Sequence, residues 1–166
     1  MRFKKYSEIE NSYRKKFMDL VVAEKYDEGE FVVQEKAHGA NLSFWYDGKN
    51  LKSAKRSGFI EDNFYDHEPV EAKNRERVEN LYAILKKEGF DFGELAVYGE
   101  LIGGTYPHKD VEKDTSATRI QKGIFYTPHN EFYAIDVSLD GQLLDVDKFN
   151  QVMEKAGFLY AKTIFR

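Results

Sequence analysis

The chain has 166 residues, of which 42% are hydrophobic and 15% aromatic, with no cysteine and a formal net charge of -4. These values predict one folded domain, residues 1–166, with its own core rather than a disordered chain. The lack of cysteine excludes disulfides, thiolate metal sites and cysteine nucleophiles. The apolar runs are too short to span a membrane and no secretory signal opens the chain, so we expect a cytoplasmic protein without a membrane partner.

The first half of the chain predicts two helices around a β-hairpin. Ser7 and Glu10 form a capping-box pattern that opens a helix ending near Glu24. Asp47-Gly48 is a typical hairpin turn between two apolar runs. The remaining predicted elements are, in order, strands Phe31 to Lys36, Asn41 to Tyr46 and Leu51 to Arg56, a polar stretch Ser57 to Glu68, and a helix Val70 to Glu88.

The second half predicts further strands and one short helix. A polar loop from Gly103 to Lys122 has a length that usually indicates function or disorder. Strands are predicted at Leu95 to Ile102, Gly123 to Tyr126, Glu131 to Ser138 and Gln142 to Val146, followed by a helix ended by Gly157. Strands in hairpins with helices between them indicate an α+β fold with a mainly antiparallel sheet.

The segment Gln34 to Asn41 places a lysine, Lys36, before a tight glycine turn and an amide. Free lysine has a pKa of about 10.4 and is protonated at neutral pH. Burial and nearby cations lower that pKa and make the amine nucleophilic, so a strand-end lysine beside a phosphate-binding loop is a candidate nucleophile. The other interpretation, a solvated lysine at a strand end, is common and stays open at this point.

The hairpin register predicts which side chains approach this lysine. Pairing Tyr46 with Leu51 places Asn41 opposite Arg56, so Lys55 and Arg56 are the candidate cations. Gly39 would allow a phosphate to approach the backbone, and His38 could donate hydrogen bonds to it.

Two carboxylates stand at strand ends downstream. Glu100 ends an apolar strand before Gly103-Gly104, and Asp136 ends the run Phe132 to Asp136. A carboxylate there can bind a ribose hydroxyl or a divalent cation, although each one alone is more often a solvated acid.

Taken in this order, these residues resemble the RNA ligase 2 family, which includes phage RNA-repair ligases and kinetoplastid RNA-editing ligases. The pattern Lys-x-His-Gly-x-Asn separates these ligases from DNA ligases and capping enzymes. The resemblance implies a covalent nucleotidyltransferase (ATP-grasp-like) fold. The segments that carry it are Phe3 to Ser7, Glu35 to Asn41, Ala54 to Gly58, Tyr98 to Glu100 and Phe132 to Asp136.

By this resemblance the protein would be an ATP-dependent RNA ligase that uses Mg²⁺. Lys36 would form a covalent lysyl-AMP, and RNA 3′-hydroxyl and 5′-phosphate ends, as in nicked duplex RNA, would be its substrate. The relatives include phage proteins that act in a host cytoplasm. The implied catalytic residues are Lys36, His38 and Asp136, and the implied nucleotide-binding residues are Glu35, Lys36, Ala37, Asn41, Arg56, Glu100 and Ile135.

Two departures from the family pattern stand out. Ile135 occupies the position of an aromatic that stacks on the base in the phage enzyme, which could weaken adenine binding by about 0.5–1.5 kcal/mol. The residues from Val137 to Arg166 contain neither the Glu-Gly-apolar motif for metal nor the Lys-x-Lys motif for the phosphates. The lysines of the second motif would neutralise triphosphate charge in the transition state, and losing one such group typically lowers the rate by a factor of about 10²–10³. We therefore expect a domain that is truncated at its C-terminus, with no metal site of its own.

Three functions remain open from the sequence. The first is an RNA ligase or a fragment of one. The second is a catalytically inactive, shortened relative that binds nucleotide or RNA, or that complements a second ligase chain supplying the missing motifs. The third is a lysine nucleotidyltransferase that uses GTP, against which His38 argues.

Overall fold

The computed structural model describes residues 1–166, which form three helices and eight strands. None of the helices is both long and apolar enough to cross a membrane. The elements are, in chain order, α1 Lys15–Ala23, β1 Val33–Gln34, β2 Ala40–Tyr46, β3 Leu51–Lys55, β4 Gly58–Phe59, α2 Glu68–Lys87, β5 Leu95–Gly103, β6 Asn130–Leu139, β7 Gln142–Leu143, α3 Val146–Ala156 and β8 Thr163–Phe165.

Two antiparallel sheets contain all the strands. The larger has six strands in the order β4-β3-β2-β5-β6-β7, and the smaller pairs β1 with β8. Tyr46 pairs with Leu51 and Leu42 with Lys55, as the predicted hairpin requires. The predicted α+β class with a mainly antiparallel sheet is confirmed.

One face of the large sheet carries the main core. Leu42 and Phe44 of β2 are fully buried there, because alternate residues of a strand point to the same face. Helix α2 packs its apolar stripe, including Val78, Leu81 and Leu85, into the same core. Helix α3 completes it, beginning at a capping Asp145 side chain and ending at a left-handed Gly157.

The opposite face of the sheet is partly covered by the N-terminal segment. The Phe3 ring lies 5.7 Å from Trp45, and the Tyr6 ring lies 4.9 Å from Tyr98. The helix predicted from Ser7 is therefore wrong at its start, because α1 begins only at Lys15. The chain before α1 is instead held by tertiary contacts, with Phe3 and Tyr6 on the sheet and the Glu8 carboxylate 3.0 Å from Arg56. No residue of α1 is buried, so packing does not stabilise a helix that begins earlier.

Other differences concern short strands. Residues 123–126 are irregular rather than the predicted strand, and the predicted last strand is cut short because Val146 opens α3. The strand predicted from Phe31 is reduced to β1, whose pairing with β8 joins distant parts of the chain. Pairing between distant segments leaves no local pattern, so β8 was not predicted. The short strand β4 pairs with the adjacent end of β3 and lies in the stretch predicted as polar from Ser57, so it was missed as well.

Candidate functional site

The lysine loop, residues 35–39, connects β1 to β2 and carries the candidate nucleophile, Lys36. Gly39 passes very close to β5. A Cβ atom on it would lie 2.9 Å from Ile102 Cγ2 and 3.0 Å from Glu100 Cβ, and would overlap the carbonyl oxygen of Leu101. A glycine is therefore required here for packing against β5, a reason that differs from the predicted approach of a phosphate.

The long loop between β5 and β6 holds the lysine loop from two sides. The Gln121 amide donates to the carbonyl of Gly39 at 2.7 Å. The backbone N–H of His38 donates to the hydroxyl of Tyr126 at 2.8 Å. Sequence reasoning missed both residues, and its only signal was the length of the loop. This loop therefore positions the lysine loop.

A row of three side chains crosses the sheet beside the lysine loop. Asn41 on β2 pairs with Glu100 on β5, which pairs with Tyr133 on β6. Directly paired residues project from the same face of a sheet. Tyr133 was not among the predicted site residues, because cross-strand neighbours depend on register.

A cavity of about 280 Å³ opens beside Lys36, and we call it the nucleotide cavity after the nucleotide-binding residues that the sequence predicts there. It gathers five of the predicted site residues: Glu35, Lys36, Ala37, Glu100 and Ile135. Its other walls come from the N-terminal segment, β1 and the C-terminal segment, namely Tyr6, Ile9, Val32, Gln34 and Ala161. The Gln34 amide donates to the carbonyl of Ala161 at 2.6 Å and so joins two of these walls.

Glu100 is the partly buried acid of this cavity. Burial raises the pKa of its carboxyl, while the Lys36 ammonium and then the Asn41 amide and the Arg56 guanidinium act in the opposite direction. The Glu100 carboxylate is therefore stabilised chiefly by the candidate nucleophile. Lys36 and Glu100 form the electrostatic centre of the site.

The expected surroundings of Lys36 are only partly present. The side chain is exposed rather than partly desolvated. The two predicted activating cations are engaged with acids, since Lys55 lies 3.3 Å from Asp62 and Arg56 lies 3.0 Å from Glu8. The hairpin register could not predict these surface ion pairs, because Glu8 and Asp62 belong to segments outside the hairpin.

Asp136 and His38 stand outside the nucleotide cavity. The Asp136 carboxylate accepts a hydrogen bond from the Tyr6 hydroxyl at 3.1 Å, and burial raises its pKa. His38 contacts the long loop through its backbone. Of the three predicted catalytic residues, only Lys36 lines this cavity.

A second, larger cavity lies on the Gly39 side of the lysine loop. This basic cavity, of about 660 Å³, is lined by Asn41, three cations (Lys5, Lys55 and Arg56) and the aromatic ring of Tyr65, among others. Tyr65 and Asp66 both adopt left-handed backbone conformations, with φ of 52° and 49°. Non-glycine residues in this region are strained and cluster at functional sites.

No group of three or more His, Asp or Glu side chains is arranged to hold a metal ion. Mg²⁺ is commonly bound by one or two carboxylates together with the phosphates of a substrate. Glu100, which lines the nucleotide cavity, is compatible with that mode and not with a site made by protein alone.

The arrangement has the fold of nucleotidyltransferase ligases. Over 98% of this chain and 43% of the other, it superposes on a mutant Naegleria gruberi RNA ligase with ATP and Mn, with a TM-score of 0.68 and 13% identity. The same ligase with PPi matches over 95% and 43%, with a TM-score of 0.59 and 13% identity. A mutant with AMP and Mn matches over 89% and 40%, with a TM-score of 0.61 and 13% identity.

A sequence model of the RNA ligase family matches residues 29–166. The chain belongs to the RNA ligase family. The resemblance stated from the lysine motif and its companions is thereby confirmed. The chain spans about two fifths of the length of the solved ligases that it matches.

Proposed function

We propose that this chain forms the lysine-bearing part of an ATP-dependent RNA ligase and that Lys36 is the residue that becomes adenylylated. The observation that carries the proposal is the nucleotide cavity, in which Lys36 lies with Glu100, Ile135 and the two neighbours of the lysine. A nucleotidyl transfer needs a nucleophile, a ribose or phosphate contact and an apolar surface for the base in one place.

The proposed reaction has three steps. The neutral amine of Lys36, after losing a proton to solvent, attacks the α-phosphorus of ATP. The new N–P bond replaces the bond to the β-phosphate oxygen, and pyrophosphate leaves. An oxygen of an RNA 5′-phosphate then displaces the lysine and takes the AMP. Finally an RNA 3′-hydroxyl attacks that 5′-phosphate, a phosphodiester forms and AMP leaves.

The residues of the site receive roles within this scheme. Ile135 and the backbone at Glu35 and Ala37 contact the adenine, with Ile135 offering apolar contact in place of an aromatic ring. Glu100 binds the ribose, and its partial burial strengthens such a hydrogen bond. Glu100 is the carboxylate that could contribute to binding Mg²⁺ together with the phosphates of ATP, and the ion would neutralise phosphate charge when bound.

The remaining predicted residues act around this centre. Asn41 and Arg56 line the basic cavity and contact phosphate there. His38 assists the chemistry from within the lysine loop, where its backbone N–H donates to Tyr126 of the long loop. Asp136 positions the N-terminal segment through Tyr6, which itself lines the nucleotide cavity.

RNA is the proposed macromolecular partner, with ends presented as in a nicked duplex. The basic cavity supports this assignment, because it places Lys5, Lys55 and Arg56 beside an aromatic ring next to the lysine loop. Cations that contact phosphates and rings that stack on bases are the two common elements of RNA recognition. On RNA binding, Lys55 and Arg56 would exchange their acidic partners Asp62 and Glu8 for phosphates.

We also propose that the Glu-Gly-apolar and Lys-x-Lys motifs, absent from residues 137–166, are supplied from outside these residues, for example by a second chain. The alternative function is a non-catalytic relative that binds nucleotide or RNA or complements another ligase chain. The exposure of Lys36 and the ion pairing of Lys55 and Arg56 favour that alternative, because nothing in the chain desolvates the amine.

Incubation with labelled ATP and Mg²⁺, followed by acid precipitation, separates the two functions. A catalytic chain forms an acid-stable adduct that is lost in Lys36→Ala and kept in Lys49→Ala, which removes an exposed lysine from a hairpin turn. Competition with unlabelled GTP should leave the adduct unchanged if ATP is the substrate. An absence of adduct at every ATP and metal concentration would reject catalysis by this chain alone.

A further inference from the structure

A third cavity borders the lysine loop and shares no lining residue with the basic cavity. It has a volume of about 620 Å³, and Glu35, Ala37 and Tyr126 belong to its wall, whereas Lys36 does not. Its size falls within the roughly 300–1,000 Å³ typical of ligand pockets. We call it the aromatic cavity.

Three aromatic side chains line this cavity, Tyr126, Tyr133 and Phe158. Phe158 is buried and follows the Gly157 turn, so it is fixed in place. The hydroxyl of Tyr126 is held by the hydrogen bond from the backbone of His38, and the backbone of Tyr133 is fixed by its pairing with Glu100. Phe158 belongs to the core, so the partly exposed rings of Tyr126 and Tyr133 are the ones available to stack on nucleobases, and such stacking tolerates any base.

The charges of the aromatic cavity are balanced. Lys73 of α2 forms an ion pair with Glu131. Arg77, one turn further along α2, contacts the neutral amide of Asn74 at 2.9 Å and has no acidic partner. With Glu35 as the second acid, two cations face two acids. A single guanidinium without an acidic partner suits one phosphodiester, and not the several charges of a triphosphate.

The basic and aromatic cavities share no lining residue and meet different residues of the lysine loop, Gly39 in the first and Glu35 and Ala37 in the second. Gln121 contacts the loop from the basic cavity and Tyr126 contacts it from the aromatic cavity. An enzyme that joins two ends must hold nucleotides on both sides of its reacting group. We propose that the aromatic cavity binds one nucleotide of the RNA substrate, with its base against Tyr133 and its phosphodiester on Arg77. This inference rests on the proposed RNA ligase function.

Binding of a fluorescently labelled single-stranded RNA, measured by anisotropy over a series of salt concentrations, tests the site. Tyr133→Leu removes the ring and keeps an apolar side chain, and should weaken binding by about 5- to 150-fold. Tyr133→Phe keeps the ring and should bind like the wild type. Arg77→Gln should reduce the slope of log affinity against log salt by about 0.7, the value for one phosphate contact on a single strand.

Arg75→Gln is the matched control for Arg77→Gln. Arg75 lies on the same helix, pairs with Glu71 and does not line the cavity, so the salt slope should stay unchanged. Oligonucleotides with and without a 5′-phosphate should respond equally to Tyr133→Leu, since the cavity is expected to hold an internal phosphodiester. Melting curves of all variants confirm that they are folded.

The possible failures are distinguishable. If Arg56→Gln weakens RNA binding and Tyr133→Leu does not, this inference is wrong and the proposed function stands. If Tyr133→Leu lowers the affinity for ATP, measured by calorimetry, as much as that for RNA, the cavity belongs to the ATP site and the inference is wrong. If the wild-type chain binds no RNA at all, both the RNA part of the proposed function and this inference fall.

Discussion

Replacing Gly39 by alanine tests whether the lysine loop is positioned by its contact with β5. The added methyl would meet the carbonyl oxygen of Leu101 and lie 2.9 Å from Ile102 Cγ2. The carbonyl belongs to a central strand that pairs with β2 and β6, so it cannot move aside. The loop must move instead, and the hydrogen bond from Gln121 to the Gly39 carbonyl is strained or lost.

The magnitude follows from this overlap. Inserting a methyl group into a packed contact typically costs about 1–3 kcal/mol. For a chain of this size each kcal/mol lowers the melting temperature by about 2–4 °C, so we expect Gly39→Ala to melt about 2–12 °C below the wild type. Lysyl-AMP formation should fall as well, because Lys36 shares the displaced loop. Thermal unfolding followed by circular dichroism and the labelled-ATP assay measure the two effects.

Gly93→Ala provides the matched control. Gly93 also lies in a bend, and a Cβ atom there would meet only Asp140 Oδ1 at an ordinary 3.7 Å. Both substitutions reduce the entropy of the unfolded chain equally, so their difference isolates the overlap. If Gly39→Ala and Gly93→Ala melt at the same temperature, the lysine loop is not held by β5 and this reasoning is refuted.

Three further predictions concern the site and the core. Burial raises the pKa of Glu100, so ionising it costs folding free energy that is absent at low pH and appears as the pH rises through the raised pKa. Urea denaturation should therefore show Glu100→Gln gaining stability over the wild type as the pH rises above the ordinary glutamate pKa of about 4.3, and a gain independent of pH would contradict this cause. Tyr126→Phe removes the acceptor of the His38 N–H and should cost about 0.5–1.5 kcal/mol, with faster hydrogen exchange at residues 37–39. Unchanged exchange there would show that the long loop does not hold the lysine loop. Leu81→Ala should lower stability by about 2–5 kcal/mol because Leu81 is fully buried, whereas Leu143→Ala, at a half-exposed position, should stay within about 0.5 kcal/mol of the wild type in the same urea titration. Equal losses in the two leucine variants would contradict the placement of the core.

The predicted and observed elements agree wherever a long local pattern exists. The stripe of Val78, Leu81 and Leu85 predicted α2, and the Asp47-Gly48 turn predicted the β2–β3 hairpin and its register. They disagree where tertiary contacts compete with local preference. The capping pattern at Ser7 was overridden by Tyr6, whose contacts with Tyr98 and Asp136 are remote in sequence.

The candidate site divides in the same way. The motifs identified Lys36, Glu100 and Ile135, which the structure brings into one cavity. They did not identify Tyr133, Tyr126 or Gln121, because the first depends on the pairing of β5 with β6 and the others on the path of a long loop. Charge pairing was equally hidden, since the partner of Arg56 is 48 residues away at Glu8.

The sequence by itself determined the family, the order of the motifs, the β2–β3 hairpin and the two helices that pack on the core, α2 and α3. These depend on residue type and on spacings of a few residues, which a single chain displays directly. Only the tertiary structure decided that the lysine loop lies against β5, that a loop of more than 20 residues folds onto it, and that different residues of the lysine loop line separate cavities. Such contacts arise from strand register and chain path, so no local pattern in the sequence encodes them.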